Sequence, residues 1–261
     1  MTRRQRAQWL LEQLPHIYPG ARCELEFSTP FELLVATILS AQCTDKRVNI
    51  VTRQLFERCR TPEDFASIAQ ADLEALIRPT GFFRNKAKNL RAMAAALLSR
   101  HAGAVPRTLQ ELAALPGVGR KTANVVLGNA FGINEGFVVD THIGRLARRL
   151  GLTRQQSPEK VERDLMRLFP RDCWTDLSHW LIWHGRRRCR ALRPDCAGCE
   201  LAAHCPSRAT HSRPRKTKPS SPSSKKSPQA PNPPGSRRKI TPRKLNLASS
   251  PRRGIVERQQ K

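Results

Sequence analysis

Residues 115–123 read Leu-Pro-Gly-Val-Gly-Arg-Lys-Thr-Ala, and this stretch separates two segments of helix-forming character. One helix is predicted from about Leu109 to Ala114, where the proline ends it, and another from about Lys121 to Ala130. Between them, Gly117 and Gly119 permit positive φ angles and a close approach of another molecule to the backbone. The stretch therefore predicts a hairpin of two helices.

Successive backbone N–H groups at the start of the second hairpin helix are expected to point outward. Together with the positive end of the helix dipole they form an anion nest that suits a phosphodiester. A plain corner between helices, whose glycines only save space, is the alternative. The chain favours DNA, because its 261 residues carry a formal net charge of +26; an anionic membrane surface is the rival partner. We therefore expect four hairpin residues to lie against DNA: Leu115, Gly117, Val118 and Gly119.

Helix starts are also marked elsewhere in the chain. Thr29-Pro30-Phe31-Glu32 and Thr108-Leu109-Gln110-Glu111 each predict a capping box, and Thr61-Pro62 and Ser157-Pro158 predict two further starts. Apolar residues then recur three or four positions apart, and no stretch shows sustained two-residue alternation. The pattern predicts an all-α architecture of about ten short helices.

The apolar segments predict two helical lobes with a cleft between them. One lobe spans 22–135 and contains the hairpin, and the other joins 1–21 to 136–205. Residues 206–261 hold 16 Lys or Arg and one acidic residue, and they are rich in Pro and Ser. Such a tail is predicted to be disordered and to clamp phosphates regardless of base sequence, with a solubilising extension as the alternative.

One amine and one carboxylate are candidates for chemistry. Lys121 lies in the first turn of a predicted helix, where the helix dipole and Arg120 both disfavour the ammonium form. A free amine is a nucleophile, whereas an ordinary ammonium group would bind phosphate. Asp140 follows an apolar run and opens a helix, so it is at least a helix cap. The two together favour covalent chemistry at a sugar carbon, with His142 as a packing or hydrogen-bonding neighbour.

Four cysteines near the end of the folded part have the spacing C-x6-C-x2-C-x5-C, and four thiolates so close in sequence could hold a metal centre. The spacing differs from the paired C-x2-C of structural zinc and from the ferredoxin run. An iron–sulfur cluster is favoured over zinc, and a disulfide framework is placed below both. The four are Cys189, Cys196, Cys199 and Cys205.

The N-terminus has no signal-peptide pattern, and no apolar run approaches the roughly 20 residues that span a membrane. We therefore expect a soluble cytoplasmic protein that associates with the nucleoid and not with a membrane. An organellar or nuclear location stays open at this point.

Taken in order, residues 115–123, the run Val139-Asp140-Thr141-His142 and the cysteine spacing resemble endonuclease III, over about residues 5–205. The resemblance implies an all-α, two-lobed helix-hairpin-helix DNA glycosylase fold with a C-terminal [4Fe-4S] cluster loop, whose ligands are the four cysteines. It implies a monomeric, bifunctional DNA glycosylase and abasic-site lyase of base excision repair. Its substrate would be double-stranded DNA with an oxidised pyrimidine or abasic site, cut 3′ to that site by β-elimination. Lys121 would be the nucleophile and Asp140 the catalytic carboxylate.

Two loops resemble the family's DNA-inserting loops. Leu39-Ser40-Ala41-Gln42 points to Gln42 as the residue that fills the gap left by an extruded nucleotide. Gly81-Phe82-Phe83-Arg84-Asn85 points to Phe82 as the wedge in the opposite strand. A core aromatic is the alternative for Phe82, and with Phe83 adjacent one of the two could be core and the other the wedge. A base buried in a duplex cannot be reached in place, so extrusion requires that something occupy the gap. The basic tail has no counterpart in the family pattern, and Cys43 follows Gln42 at a position where a smaller residue would suit the loop.

Two alternatives remain from the sequence. A monofunctional mismatch glycosylase would share the cluster, but it lacks the hairpin lysine and needs a catalytic Glu where Ala36 stands. A non-catalytic DNA-binding module with a zinc-stabilised end would keep the hairpin and the cysteines without needing Lys121 and Asp140 together. The sequence does not indicate which lesion is preferred.

Overall fold

The computed structural model describes residues 1–208, and every regular element in that range is helical. The prediction of an all-α protein is therefore confirmed. No helix among these residues is long and apolar enough to cross a membrane. Apart from its first three residues, the predicted basic tail 206–261 lies outside the described residues. The α-helices are α1 (Arg3–Ile17), α2 (Pro30–Leu39), α3 (Asp45–Arg58), α4 (Pro62–Ser67), α5 (Gln70–Ile77), α6 (Phe83–His101), α7 (Leu109–Ala113), α8 (Arg120–Phe131), α9 (Thr141–Arg149), α10 (Pro158–Leu168) and α11 (Trp174–Arg187).

Short 3-10 turns supplement these helices at Arg78–Thr80, Arg171–Cys173 and Ala202–His204. The predicted helix starts at residues 29, 61, 108 and 157 are confirmed. In each case the hydroxyl of the cap residue accepts a hydrogen bond from the backbone N–H three positions later. This bond satisfies one of the N–H groups that a helix start leaves without a partner.

The prediction of two capping boxes is wrong in one of the two hydrogen bonds that a box requires, the bond from the cap residue's N–H to the third helical side chain. A capping box requires the third helical side chain to accept from the cap's own N–H. Glu32 instead accepts from the N–H of Ser28, one residue earlier, at 2.6 Å. Glu111 accepts from the hydroxyl of Thr108 at 2.6 Å. Complete boxes occur at Thr2 with Gln5 and at Thr61 with Asp64.

Buried side chains form two hydrophobic clusters, which gives the predicted two-lobed fold. The first cluster draws its buried residues from the range 25–127, within α2 to α8 and their connections. The second draws them from 7–18 and 137–201, so it joins α1 to α9, α10 and α11. Burial of this apolar surface is the main term that stabilises each lobe. The domain boundaries at residues 22 and 136 stay a prediction.

Helices α8 and α11 connect the two clusters, and they approach each other closely at Gly128. A Cβ atom at this position would clash with the side chain of Thr175 on α11. The missing side chain therefore lets the two backbones come together. This contact packs the C-terminal half of α8, which is the second helix of the hairpin, against α11.

Candidate active site

The hairpin joins α7 to α8, as the sequence predicts, but its two glycines have different roles. Gly117 has a φ of +76°, and a Cβ on it would lie 2.8 Å from the Cβ of Asn89 on α6. Gly119 has a φ of −93°, and a Cβ there would meet nothing within 4 Å. The expectation of positive φ is thus right for Gly117 and wrong for Gly119, because Gly119 is the extended N-cap residue of α8.

The two apolar residues of the hairpin point inward. Leu115 and Val118 are 3% and 5% exposed and belong to the first hydrophobic cluster. Their side chains hold the turn against the lobe, so this part of the hairpin can offer a ligand only its backbone. The N-cap residue Gly119 makes no side-chain bond to the first turn of α8, and that turn contains no acidic residue. The N-terminal end of α8 thus keeps the partial positive charge that suits a phosphate.

Lys121 is exposed in the first turn of α8. Its neighbour Arg120 pairs with Glu162 of α10, with Nε–Oε2 and Nη2–Oε1 distances of 3.0 Å each. Glu162 is 7% exposed, so this is a nearly buried carboxylate with a half-exposed partner. Arg120 is therefore not the unpaired cation beside Lys121 that the sequence suggested, because the carboxylate compensates its charge.

Asp140 is the N-cap residue of α9. Its Oδ1 accepts a hydrogen bond from the N–H of Ile143 at 2.7 Å. One carboxylate oxygen thus fixes the side chain, and the second is not required by the cap. His142 lies 3.3 Å from Nη2 of Arg145 through its Nδ1. Burial lowers the pKa of His142, so its ring is neutral at pH 7 and accepts this bond.

Lys121 and Asp140 line the same cleft, which lies between the two hydrophobic clusters and has a volume of about 760 Å³ that includes space open to solvent. Thr37 of α2 and its C-cap residue Ser40 line one wall, and His179 of α11 lies on the other. The amine and the carboxylate also share a neighbouring depression on the surface. Residues 19 positions apart in sequence therefore meet because each stands at the start of a helix that faces the cleft.

The two predicted DNA-inserting residues both lie in left-handed backbone conformations. Gln42 has a φ of +54° and is exposed. Phe82 has a φ of +48°, and 64% of it is exposed, which is unusual for a large apolar side chain. Phe83 packs against the first cluster, so the expectation of one core and one exposed phenylalanine fits the geometry. Non-glycine residues with such φ angles are strained, and strain of this kind concentrates at functional sites.

The four clustered cysteines line one cavity beyond the end of α11. Arg149 organises the loop around them, because its guanidinium donates to Sγ of Cys189 at 3.3 Å and to the carbonyls of Arg190 and Ala191 at 2.8 and 2.7 Å. All eight cysteines of the chain are free thiols.

Four cysteine side chains around one cavity are a donor set whose chemistry fits a metal cluster. Within residues 1–208, no three His, Cys, Asp or Glu side chains lie close enough to hold a single ion. The four sulfur-bearing side chains instead surround a common cavity, as ligands of a multi-atom cluster must. Burial raises the pKa of the Cys199 thiol to about 11, so metal binding there would release a proton.

Comparisons with known proteins identify the family. Residues 35–171 match the family model of the HhH-GPD superfamily of base excision DNA repair proteins. Endonuclease III from Synechocystis is 51% identical over 206 residues, which cover 79% of this chain and 94% of that protein. Endonuclease III from Escherichia coli is 41% identical over 196 residues, covering 75% and 92%. The chain belongs to the endonuclease III family.

Solved structures of the family agree with this assignment. A trapped covalent intermediate of endonuclease III with DNA superposes with a TM-score of 0.78 at 43% identity, covering 82% of this chain and all of that one. A non-covalent complex of endonuclease III with DNA gives a TM-score of 0.77 at 44% identity, covering 80% and 98%. The helix-hairpin-helix fold is confirmed, and the protein is a base excision repair DNA glycosylase and abasic-site lyase.

Sequence reasoning missed several polar residues of the cleft in this family member. Asn124 is 4% exposed; its Nδ2 lies 3.5 Å from Glu162, and its buried Oδ1 has no hydrogen-bond partner. Its position three residues after Lys121 on the same helix face was a signal that could have revealed it. His179 bonds through Nε2 to Oδ1 of Asn129 at 2.7 Å. No local pattern marks His179, because only the packing of α8 against α11 makes that contact.

Arg186 of α11 also reaches the cleft and was not predicted. Its guanidinium pairs with Asp45 at the start of α3, at 2.8 Å, and with Glu24. These two ion pairs connect α11, a helix of the second cluster, to the first lobe along one wall of the cleft. They therefore contribute to holding the lobes at the separation that the cleft requires.

Proposed function

We propose that this protein removes oxidised pyrimidines from double-stranded DNA and cuts the strand 3′ to the abasic site by β-elimination, through a Schiff base on Lys121. The observation that supports this most strongly is the meeting of Lys121 and Asp140 in one cleft between the lobes. Lys121 lies in the first turn of α8 and Asp140 is the N-cap of α9, so a helix start holds the backbone of each residue. Covalent chemistry at a sugar carbon requires an amine and a carboxylate that can reach the same substrate, and both lie in this cleft.

DNA binding is proposed to begin at the hairpin. The backbone N–H groups after Gly117 would take a phosphate of the damaged strand, without reading its bases. The net charge of +26 attracts the duplex at long range. Phe82 would then wedge into the opposite strand, and Gln42 would fill the space of the extruded nucleotide.

The proposed chemistry starts at the amine of Lys121, which acts as a nucleophile only in its unprotonated form. Its Nζ attacks C1′ of the sugar, and the base leaves with the electron pair of the glycosidic bond. The attached nitrogen then loses a proton, and its lone pair opens the sugar ring at C1′–O4′ as O4′ takes up a proton, which leaves a protonated Schiff base. Loss of the C2′ proton sends an electron pair toward C3′, and the 3′ phosphate departs. Asp140 stabilises the positive charge that develops on the sugar and accepts protons as the steps proceed.

We propose further that Cys189, Cys196, Cys199 and Cys205 bind a [4Fe-4S] cluster. A bound cluster would crosslink the loop from Arg190 to Asp195 and so fix its basic surface against the DNA backbone. Arg149 supports the same loop from within the protein through its bonds to the carbonyls of Arg190 and Ala191.

The monofunctional alternative is disfavoured by α2. Ala36 occupies the place where a mismatch glycosylase of this type would need its catalytic Glu, and it is fully buried. A methyl group in the core can neither protonate a base nor activate water. The lesion class rests on the family resemblance, since the polar walls of the cleft suit several pyrimidines.

Borohydride trapping on a duplex with one abasic site tests the nucleophile. Wild type should form a covalent adduct, and Lys121→Ala should form none. Lys160→Ala is the matched control, because Lys160 is also an exposed lysine in the first turn of a helix. Equal trapping by wild type and Lys121→Ala would exclude Lys121 as the nucleophile. The same assay on oxidised-pyrimidine and mismatched duplexes decides the lesion class.

The variant Asp140→Asn tests the negative charge of Asp140 separately from its role as a helix cap. Asparagine caps helices as well as aspartate does, so the bond to Ile143 and the melting temperature should be kept. Loss of the negative charge should lower the single-turnover rate by roughly 100-fold. A variant that melts normally and reacts at the wild-type rate would rule out a catalytic role for Asp140.

A further inference from the structure

Lys86 is a buried lysine in the first turn of α6, with 5% of the residue exposed. Its Nζ donates one hydrogen bond to the carbonyl of Leu39 at 2.8 Å and another to the carbonyl of Thr80 at 2.9 Å. Lysine is among the residues that are least often buried, and burial lowers the pKa of this ammonium group. Burial of this ammonium group therefore costs free energy, which favourable interactions of Lys86 must offset.

Both acceptors stand at the C-terminal end of a helical element. Leu39 is the last residue of α2, and Thr80 is the last residue of the 3-10 turn Arg78–Thr80. Carbonyls at such ends have no partner within the helix and carry the negative end of the helix dipole. A cation placed between two such ends satisfies both carbonyls, which is how its burial is compensated.

The same two carbonyls precede the two DNA-inserting loops. Gln42 comes three residues after Leu39, and Phe82 comes two residues after Thr80. These two residues have left-handed φ angles of +54° and +48°. With so few residues in between, the positions of the two side chains depend closely on where the two carbonyls are held. One ammonium group thus joins the bases of both loops, and its bond to Leu39 spans 47 positions of sequence.

We infer that Lys86 is a positioning residue for base extrusion: its ammonium group ties the loop of Gln42 to the loop of Phe82, and so sets the spacing at which the two side chains enter a DNA duplex. This inference rests on the roles proposed for Gln42 and Phe82. It assigns no chemical step to Lys86, which lies in the first lobe and not among the residues that line the cleft.

The test uses the full-length protein with its cluster and compares two substrates. An abasic site within a duplex requires the gap to be opened and filled, whereas an abasic site in a single strand does not. Lys86→Met keeps an unbranched side chain of similar length in the core but removes both hydrogen bonds. Lys88→Met is the matched control, because Lys88 is exposed on the same helix.

We expect Lys86→Met to lose roughly 10- to 100-fold in cleavage rate on the duplex, and to keep its rate of Schiff-base formation on the single strand. The fluorescence increase of 2-aminopurine placed beside the lesion, which reports extrusion, should fall in parallel. Equal losses on both substrates would mean a role in stability alone and would overturn the inference, as would an unchanged duplex rate. Should the methionine variant fail to fold, the duplex-to-single-strand ratio of Lys86→Gln decides in the same way.

The variants Gln42→Ala and Phe82→Ala separate this inference from the function on which it rests. If these two variants extrude bases normally, the proposed roles of the loops are wrong. If they fail to extrude bases and Lys86→Met behaves as wild type, the loops are confirmed and the positioning role of Lys86 is wrong.

Discussion

The two hairpin glycines should respond oppositely to substitution by alanine. Gly117 has positive φ, and its Cβ would press on Asn89 of α6 at 2.8 Å. Gly119 has an ordinary extended φ, and its Cβ would point into open space. We therefore predict that Gly117→Ala damages the fold, whereas Gly119→Ala leaves the fold intact and damages DNA binding.

The magnitudes follow from these geometries. For Gly117→Ala, the left-handed backbone costs about 1–2 kcal/mol and the steric overlap about 1–3 kcal/mol, so the free energy of unfolding should fall by about 2–5 kcal/mol. For Gly119→Ala, the entropy removed from the unfolded chain and the poorer N-cap offset each other to within about 0.5 kcal/mol. A Cβ between the backbone N–H groups and a phosphate should cost about 1.5 kcal/mol, which is roughly tenfold in Kd.

Thermal unfolding and DNA titration measure the two effects separately. Gly117→Ala should melt roughly 4–20 °C below wild type, and Gly119→Ala within a few degrees of it. Kd for an abasic duplex should rise in Gly119→Ala at a temperature where both proteins are folded. If Gly119→Ala is as unstable as Gly117→Ala, the division of roles is wrong. If Gly119→Ala binds DNA as tightly as wild type does, the hairpin backbone does not face the phosphate.

Three further predictions follow. Arg120→Ala leaves the buried carboxylate of Glu162 without its ion-pair partner. Urea unfolding should show that the free energy of unfolding falls by about 2–3 kcal/mol, which is at the low end for such a loss because Arg120 is half exposed. The double variant Arg120→Ala with Glu162→Gln should recover part of this free energy. Burial lowers the pKa of His179, so the unfolded state binds a proton there before the folded state does, and stability should fall as the pH drops from about 7 to 5. Because burial also lowers the pKa values of His142 and His184, His179→Gln should reduce the pH dependence of the melting temperature without removing it. Deleting 209–261 should reduce the slope of log Kd against log salt while adduct trapping persists, and an unchanged slope would count against the phosphate clamp.

The sequence was sufficient for the elements whose causes are local. Helix starts at Thr29, Thr61, Thr108 and Ser157 depend on a hydroxyl and an N–H three positions away, so four consecutive letters specify them. The helical hairpin follows in the same way from Pro116 and the adjacent glycines. Apolar residues that recur three or four positions apart lie on one face of a helix, and this repeat predicted the all-α class because it depends only on residues within the same helix.

Details that depend on side-chain choice were predicted less well. Two capping boxes lack their return bond, because Glu32 and Glu111 had other donors within reach. Gly117 and Gly119 look alike in the sequence, yet only Gly117 needs its positive φ and the space beside Asn89. Arg120 was expected to act as an unpaired positive charge beside Lys121, but its guanidinium forms an ion pair with Glu162.

Residue types and spacings alone named Lys121 and Asp140 as candidates, whereas only the packing of α8 and α9 around a common cleft shows that they meet. The same holds for His179 against Asn129, and for Lys86 between the ends of two helical elements. Each of these contacts joins residues far apart in the chain. Periodicity and capping act over about four residues, so they specify elements; which polar groups share a buried space is decided by how the apolar faces of distant helices pack together.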